Sequence, residues 1–425
     1  MAGPVHLDKV LDLIDPDELT RLTADLVRLN SVWDPQAGTS EHQVGRFVAS
    51  WAETRGFQVE VDQVAPGRPN VIVTWTAGPQ PRTLLFEAHS DVVTPGDPAA
   101  WTGDPFEPQI VGRRMYGRGT NDTKGNLAAM LLALAALKRA RTPLFGTIVA
   151  AVLCDEEDRM LGVLDFIRRG RADRLTGAVI CEPQDGLICT AQKGALRATF
   201  SLTGRMSHGA MPLAGLNPAP AVARLIEGLQ ALEDEAVSQY GPSDLVGWPS
   251  FTPTVIRAPA EGPAQLNVVP GRAEVLVDVR TVPGQPHLEV ADKLKSLAAG
   301  VEKAVREHYR EMDRRLGVER NRDLSVTVEI TSDRPHTLTD REDPLVQAAH
   351  RAVHEVTGAD PRYGGVLGAT DGTFLWSLKH VPIVTMGAGA RDVAHQADEW
   401  VDLDQLTETA RVYALTAFYY LGGGG

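Results

Sequence analysis

Residues 146–183 read GTIVAAVLCDEEDRMLGVLDFIRRGRADRLTGAVICEP, and their reading decides the fold. GTIVAAVLC is an apolar run of strand length that stops on four acids, Asp155, Glu156, Glu157 and Asp158. A short helical pattern around Leu164 to Arg169 follows, and GAVICEP is a second apolar run ending on Glu182 and Pro183. Strands with no polar alternation, separated by helices, indicate an α/β sheet covered on both faces. Upstream the pattern repeats. FQVEVDQV (57–64), NVIVTWT (70–76) and TLLFEAHSD (83–91) read as strands, and the Ala/Leu-rich stretch Gly125 to Leu137 reads as a buried helix. Nearer the start, Asp15-Pro16-Asp17-Glu18 supplies an N-cap, a first-turn proline and a capping-box acid. Leu19, Leu22, Leu26 and Leu29 then recur at helical spacing, and a second helix is expected from Ser40 to Arg55.

After Gly194 the pattern changes. ALRATFSLTGR (195–205) alternates as a half-buried strand, and Ala219 to Leu232 is amphipathic. Gln265 to Thr281 reads as two strands around Pro270-Gly271. A long helix covers Leu288 to Met312, and LSVTVEI (324–330) closes the block. The expected order is β-α-β-β-α-β, a ferredoxin-like split βαβ sandwich. The α/β style then resumes through DPLVQAAHRAVHEVTG (343–358), PIVTMGAG (382–389) and a last helix from Leu403 to Leu421. The economical division is a catalytic domain in two parts, 1–194 and 333–425, with a second domain inserted at 195–332.

At 425 residues the chain is long enough for two or three domains without disulfide or metal staples. Forty-two Lys and Arg against fifty-five Asp and Glu give a net charge of −13, which disfavours nucleic acid and anionic membrane surfaces as partners. No apolar run reaches membrane-span length, and the first residues carry scattered charges without a hydrophobic core segment, so a cytoplasmic protein is expected. Cys154, Cys181 and Cys189 lie in apolar strand-like sequence and read as buried thiols. Gly422 to Gly425 reads as a tail.

The chemistry-bearing residues gather at strand ends. His89 and Asp91 are two apart on one strand and so share a face, where the carboxylate can orient the imidazole. Asp122 sits in YGRGTNDTKG, a glycine-rich loop before the buried helix that fits neither the P-loop nor the dinucleotide spacing. In the acidic run successive side chains diverge, so one of Glu156 and Glu157 can ligate a metal while the other faces a reacting water. Glu182 ends the next strand, and His395 follows the strand PIVTMGAG. Two histidines and three carboxylates from five segments make a set suited to two borderline-hard divalent cations.

HSD (89–91), GRGTNDTKG (117–125), DEE (155–157), the Glu182-Pro183 strand end, GRMSHGA (204–210) and HQADE (395–399) occur in an order that resembles the dinuclear zinc aminoacylases and carboxypeptidases. That family includes acetylornithine deacetylases, succinyl-diaminopimelate desuccinylases and glutamate-releasing carboxypeptidases, and the similarity runs over nearly the whole chain. The resemblance implies a zinc-peptidase-type mixed sheet flanked by helices, with an inserted lid and dimerisation domain. It implies that His89 and Glu182 hold one zinc, that Glu157 and His395 hold the other, and that Asp122 bridges them through a residue followed by a cis peptide. Asp91 is then the partner of His89, Glu156 the general base, and His208 the donor to the substrate carbonyl, commonly across a dimer. Arg280 and Asn267, with backbone groups of Gly387, Ala388 and Gly389, would meet a substrate carboxylate. Taken by periodicity alone, Arg280 shares the solvated face of its strand with Asp278, opposite Val275, Val277 and Val279.

The expected activity is cleavage of an N-acyl amino acid, with release of a C-terminal residue such as glutamate from a short peptide as the alternative. Glu182, where aminopeptidase relatives carry Asp, and the AHQADEW and ATDG stretches favour the deacylase, although the loop 368–372 departs from the commonest desuccinylase pattern. Cobalt or manganese would satisfy the same ligands. A non-catalytic metal-binding protein would be expected to lack the base, and Glu156 is present.

Overall fold

A computed structural model describes residues 5–79, 81–318 and 323–422. Gly423 to Gly425 of the glycine tail, and Met1 to Pro4 of the start, lie outside the described residues. The chain divides into two compact units: Met1–Ala191 with Thr337–Val366 and Thr370–Gly425, and Gln192–His336 with Leu367–Ala369. Among the described residues no helix is long and apolar enough to cross a membrane.

The first unit is built on a nine-stranded mixed sheet. At one edge Gln58–Ala65 and Arg68–Thr76 form an antiparallel hairpin, and Arg68–Thr76 pairs antiparallel with Thr147–Leu153. Then come four parallel strands in the order Thr147–Leu153, Thr83–His89, Gly177–Ile180 and Ile383–Thr385. The chain leaves Thr83–His89 toward one side and returns to lay Gly177–Ile180 on the other. His89 therefore ends the strand where the winding reverses, the place where open α/β sheets hold ligands at their C-terminal edge. Ile188–Gln192, Thr337–Leu338 and Tyr363–Val366 complete the sheet.

The helices follow their sequence signals. The Asp15 carboxylate accepts the Asp17 N–H at 2.9 Å and Pro16 opens Pro16–Arg28, whose Leu19, Leu22 and Leu26 are buried. The second expected helix is His42–Glu53. Lys124–Arg139 is buried all round from Lys124 to Leu137, packed against Thr83–His89, Pro16–Arg28 and the last helix, Leu403–Leu421. An Ala/Leu composition suits such a position, because no face needs a polar residue and small side chains allow close neighbours. Cys154, Cys181 and Cys189 are buried and unpaired.

The second unit is a four-stranded antiparallel sheet in the order Ser250–Arg257, Arg272–Thr281, Gly194–Thr203 and Ser325–Arg334, with helices Ala219–Tyr240 and His287–Leu316. Val275, Val277 and Val279 face its core, as their alternation implies. One expectation changes. The second strand is Ser250–Arg257, whereas Val268–Val269 is a two-residue strand that pairs, among the described residues, with Ser207–His208 alone. Pro253 hid the true strand. A proline cannot donate to a ladder, but here it lies on the edge, beside a register shift between Pro253 and Val255.

Candidate metal centre

Each ligand is delivered by a strand end or by a turn held from behind. His89 is the last residue of its strand and 1% exposed. Its Nδ1 donates to the backbone carbonyl of Asp91 at 2.9 Å, which leaves Nε2 as the nitrogen that faces the neighbouring carboxylates. Asp91 thus meets His89 through its carbonyl as well as its carboxylate. The strand ends at His89, and the Asp91 carboxylate lies 3.7 Å from Nδ1. That carboxylate also accepts the Glu156 N–H at 3.2 Å and the Glu157 N–H at 3.1 Å, fixing the acidic turn.

The same turn is anchored below. Asp155, with φ of 67°, is fully buried and pairs with Arg68, while its other oxygen accepts the Leu161 N–H at 3.2 Å. The Arg68 Nε donates to both oxygens of buried Glu41, at 2.9 and 3.1 Å. Asp122 closes the loop 117–122, whose tight path requires glycine. A Cβ on Gly119, at φ of 89°, would lie 2.9 Å from Val92 Cγ1. The Asp122–Thr123 peptide is cis.

Two groups of ligand atoms result, each within 4.8 Å: His89, Asp122 and Glu182, and Asp122, Glu157 and His395. Asp122 belongs to both, one oxygen to each. Its Oδ1 is 3.0 Å from His89 Nε2, which is 3.5 Å from Glu182 Oε1. Its Oδ2 is 3.2 Å from His395 Nε2, which is 3.0 Å from the Glu157 carboxylate. The first group is enclosed; the His395 side chain is 53% exposed, so the second opens to solvent. Glu156 is in neither group.

The electrostatics are those of crowded, buried acids. Burial, then Glu157, Asp122 and Asp91, raise the Glu156 pKa well above the usual carboxylate range despite His89. Burial first, then Asp122 and Glu156, raises Glu182 likewise, and burial and Asp122 raise Glu157. Burial works against a charged His89, yet Glu182, Asp122 and Asp91 outweigh it and raise its pKa. Hydrogen bonds to Asp122 and Glu157 take His395 up to about 10. Behind the ligands, Glu87 and Asp371 are fully buried with no hydrogen-bond partner for either carboxyl group. No arginine or lysine among the described residues pairs with Glu156, Glu157 or Glu182. Mixed imidazole and carboxylate donors with an uncompensated negative charge suit two borderline-hard divalent ions. Arg68 and Glu41 escaped the sequence reading, and Asp371 entered it only as part of ATDG; a charged residue flanking an apolar strand, as Arg68 does, was the available signal.

His208, Asn267 and Arg280 belong to the second unit. His208 is exposed, and its Nδ1 accepts the Ala210 N–H at 3.0 Å, so the ring proton is on Nε2. Asn267 lies beside it, its carbonyl accepting the Gly209 N–H at 2.7 Å. Arg280 forks onto Asp278, Nε to Oδ1 at 2.6 Å and Nη2 to Oδ2 at 3.2 Å, so its strand face carries an ion pair. In the segment 387–389 two backbone donors are already engaged. The Ala388 N–H is spent on Asn126 Oδ1 at 2.8 Å and that of Gly389 on Gln405 Oε1 at 3.0 Å.

Comparison with known proteins agrees with this geometry. Residues 85–418 match the family described as Peptidase family M20/M25/M40. Succinyl-diaminopimelate desuccinylase 1 from Ruegeria sp. (strain TM1040) is 30% identical over 407 residues, 93% of this chain and 96% of that protein. Among solved structures, the di-peptidase Dug1p of Saccharomyces cerevisiae superposes with a TM-score of 0.73 over 99% of both chains at 16% identity. The YXEP protein of Bacillus subtilis, described as a dinuclear metal binding peptidase, superposes at 0.66 over 96% of this chain and 98% of that one, also at 16% identity. Likeness at that identity shows a shared fold.

Proposed function

The chain belongs to peptidase family M20/M25/M40 and is a metal-dependent hydrolase of amide or peptide bonds; within that class we propose that it removes the acyl group from an N-acyl amino acid. The observation that carries the reading is the division of the Asp122 carboxylate between two His–Glu pairs. His89 and Glu182 would hold one divalent ion, Glu157 and His395 the other, with Asp122 shared; zinc suits the donors, and cobalt or manganese would satisfy them as well. When bound, the two ions would acidify a water to a pKa near 7 and polarise the scissile carbonyl.

The protein's own groups do the rest. Glu156 takes a proton from the attacking water and delivers it to the departing amine. Asp91 serves both parts at once, setting the His89 tautomer through its carbonyl and the Glu156–Glu157 turn through its carboxylate. The exposed His208 offers Nε2–H to the carbonyl oxygen, a role its Nδ1 contact prepares. Arg280 and Asn267 are the groups we assign to the substrate carboxylate, with Arg280 exchanging Asp278 for the ligand's fork. The segment 195–332 would act as lid and dimerisation domain of a homodimer.

The desuccinylase relative from Ruegeria favours a deacylase. The dipeptidase fold of Dug1p supports a second reading, cleavage of a short peptide with a free carboxylate. The test pairs metal content by mass spectrometry with ninhydrin-detected hydrolysis of N-acyl amino acids and dipeptides. Two metals per chain, with chelator-sensitive release of an acyl-amino acid's amine, is the expected result. Cleavage of dipeptides alone would move the assignment to the second reading, and absence of metal after reconstitution would refute both.

A further inference from the structure

We propose that Glu399 is a positioning residue that couples the shared metal ligand to the solvent-open half of the centre; this rests on the dinuclear reading above. Glu399 is completely buried, immediately before the short strand Trp400–Asp402. Its Oε1 accepts three backbone N–H groups from the bridging loop: Gly119 at 3.0 Å, Asn121 at 2.9 Å and Asp122 itself at 2.9 Å. Its Oε2 takes the Arg118 guanidinium, which is 1% exposed. Arg118 in turn donates through Nη2 to the His395 carbonyl at 3.3 Å and the Thr94 carbonyl at 3.4 Å. One carboxylate therefore fixes the peptide of Asp122 directly and the backbone of His395 through one intermediary.

Four donors converge on two oxygens, a demand that only a carboxylate meets. Glutamine could still accept the three amides on its carbonyl oxygen, but its NH2 would face the Arg118 guanidinium, donor against donor. His395 has φ of 67°, a conformation that an unsupported turn gives up readily, so its carbonyl contact matters to where Nε2 points. The enclosed pair, His89 and Glu182, makes no contact with Glu399 among the hydrogen bonds of the described residues, and His89 is set by Asp91 instead. The coupling is thus one-sided. Two of the three ligands of the open group, Asp122 and His395, are tied to Glu399, against one of the three in the enclosed group.

The experiment titrates zinc into metal-free wild type, Glu399→Gln and the double variant Arg118→Met/Glu399→Gln, against a competing chromophoric chelator, and records thermal melts of the same metal-free proteins. Wild type is expected to show two steps. In Glu399→Gln the weaker step loses about 10- to 100-fold, the usual cost of removing a group that orients a ligand, while the tighter step moves less than about threefold. The double variant removes the uncompensated buried cation, so its melting temperature returns toward wild type. It does not restore the contact to His395, so its weaker zinc step stays weak. Because the double variant buries no unpaired charge, it also serves if the single variant does not fold. Equal zinc steps in wild type and variant would overturn the proposal, as would recovery of the weaker step together with stability. A wild type that binds no zinc would refute the metal centre itself, a different result.

Discussion

Replacing Arg68 by methionine removes the one cation shared by two buried carboxylates. Arg68 is 2% exposed, and Glu41 and Asp155 are 0% exposed. Breaking a buried pair by deleting one partner costs about 3–5 kcal/mol, most of it the penalty on the charge left behind. Arg68 also lies over the Trp33 ring, 4.6 Å from its centroid, a contact worth about 0.5 kcal/mol where the ring is partly exposed. The expected loss is about 4 kcal/mol near neutral pH, a third or more of the stability of a typical domain. Its pH dependence has a definite sign. Burial already raises the Glu41 pKa above an ordinary 4.5, against the pull of Arg68. A raised pKa means that stability is complete below about 4.5 and declines as pH climbs through the folded value. Without Arg68 that value rises further, so the deficit of Arg68→Met is smallest near pH 4.5 and widens as pH climbs from there to neutrality. Urea unfolding followed by tryptophan fluorescence across that range measures it. A loss under about 1 kcal/mol, or one that does not change with pH, would show that the three charges are not coupled as described.

Three further outcomes are expected. Asp122→Ala should lose both metals and His395→Ala one, by mass spectrometry after dialysis; equal retention by both variants would contradict the shared ligand. Glu156→Gln should keep wild-type metal content yet lose at least about a hundredfold in turnover, the lower bound for a positioned base. Retained activity would move the base elsewhere. Gly389→Ala should destabilise by more than about 1 kcal/mol in a thermal melt, because φ is 104° and the new Cβ would sit 1.9 Å from Asn121 Oδ1; an unchanged melt would mean the loop relaxes freely.

What the sequence revealed and concealed follows from which atoms carry each interaction. Apolar runs ending on His89, Glu157 and Glu182 were legible, because a strand buried on both faces must end where polar side chains begin. The packed helix Lys124–Arg139 was legible for the same reason. The Ser250–Arg257 strand was not, since Pro253 is tolerated there only through its edge position. The shorter contact of His89 with Asp91 was not legible because it runs to a backbone carbonyl, and any residue supplies a carbonyl. Glu399 stood in plain view within HQADE but had no readable task, since three of its partners are backbone N–H groups. Arg68 and Asp155 lie 87 residues apart, beyond the reach of any local pattern.

Long separations of this kind also impose an order of events. The imidazole of His395 meets Glu157 across 238 residues, and Arg118 meets Glu399 across 281. Contacts so distant along the chain form late, after the closure entropy of everything between them has been overcome. A ribosome releases His89, Asp122, Glu157 and Glu182 well before His395, and the intervening unit of 192–336 emerges in between. For that interval the chain holds the carboxylates of the open group, Asp122 and Glu157, without the imidazole that completes it. If the open position takes an ion as proposed, retention of a second ion would mark a chain complete through His395 and Glu399, and a chain truncated ahead of them would fail to retain it.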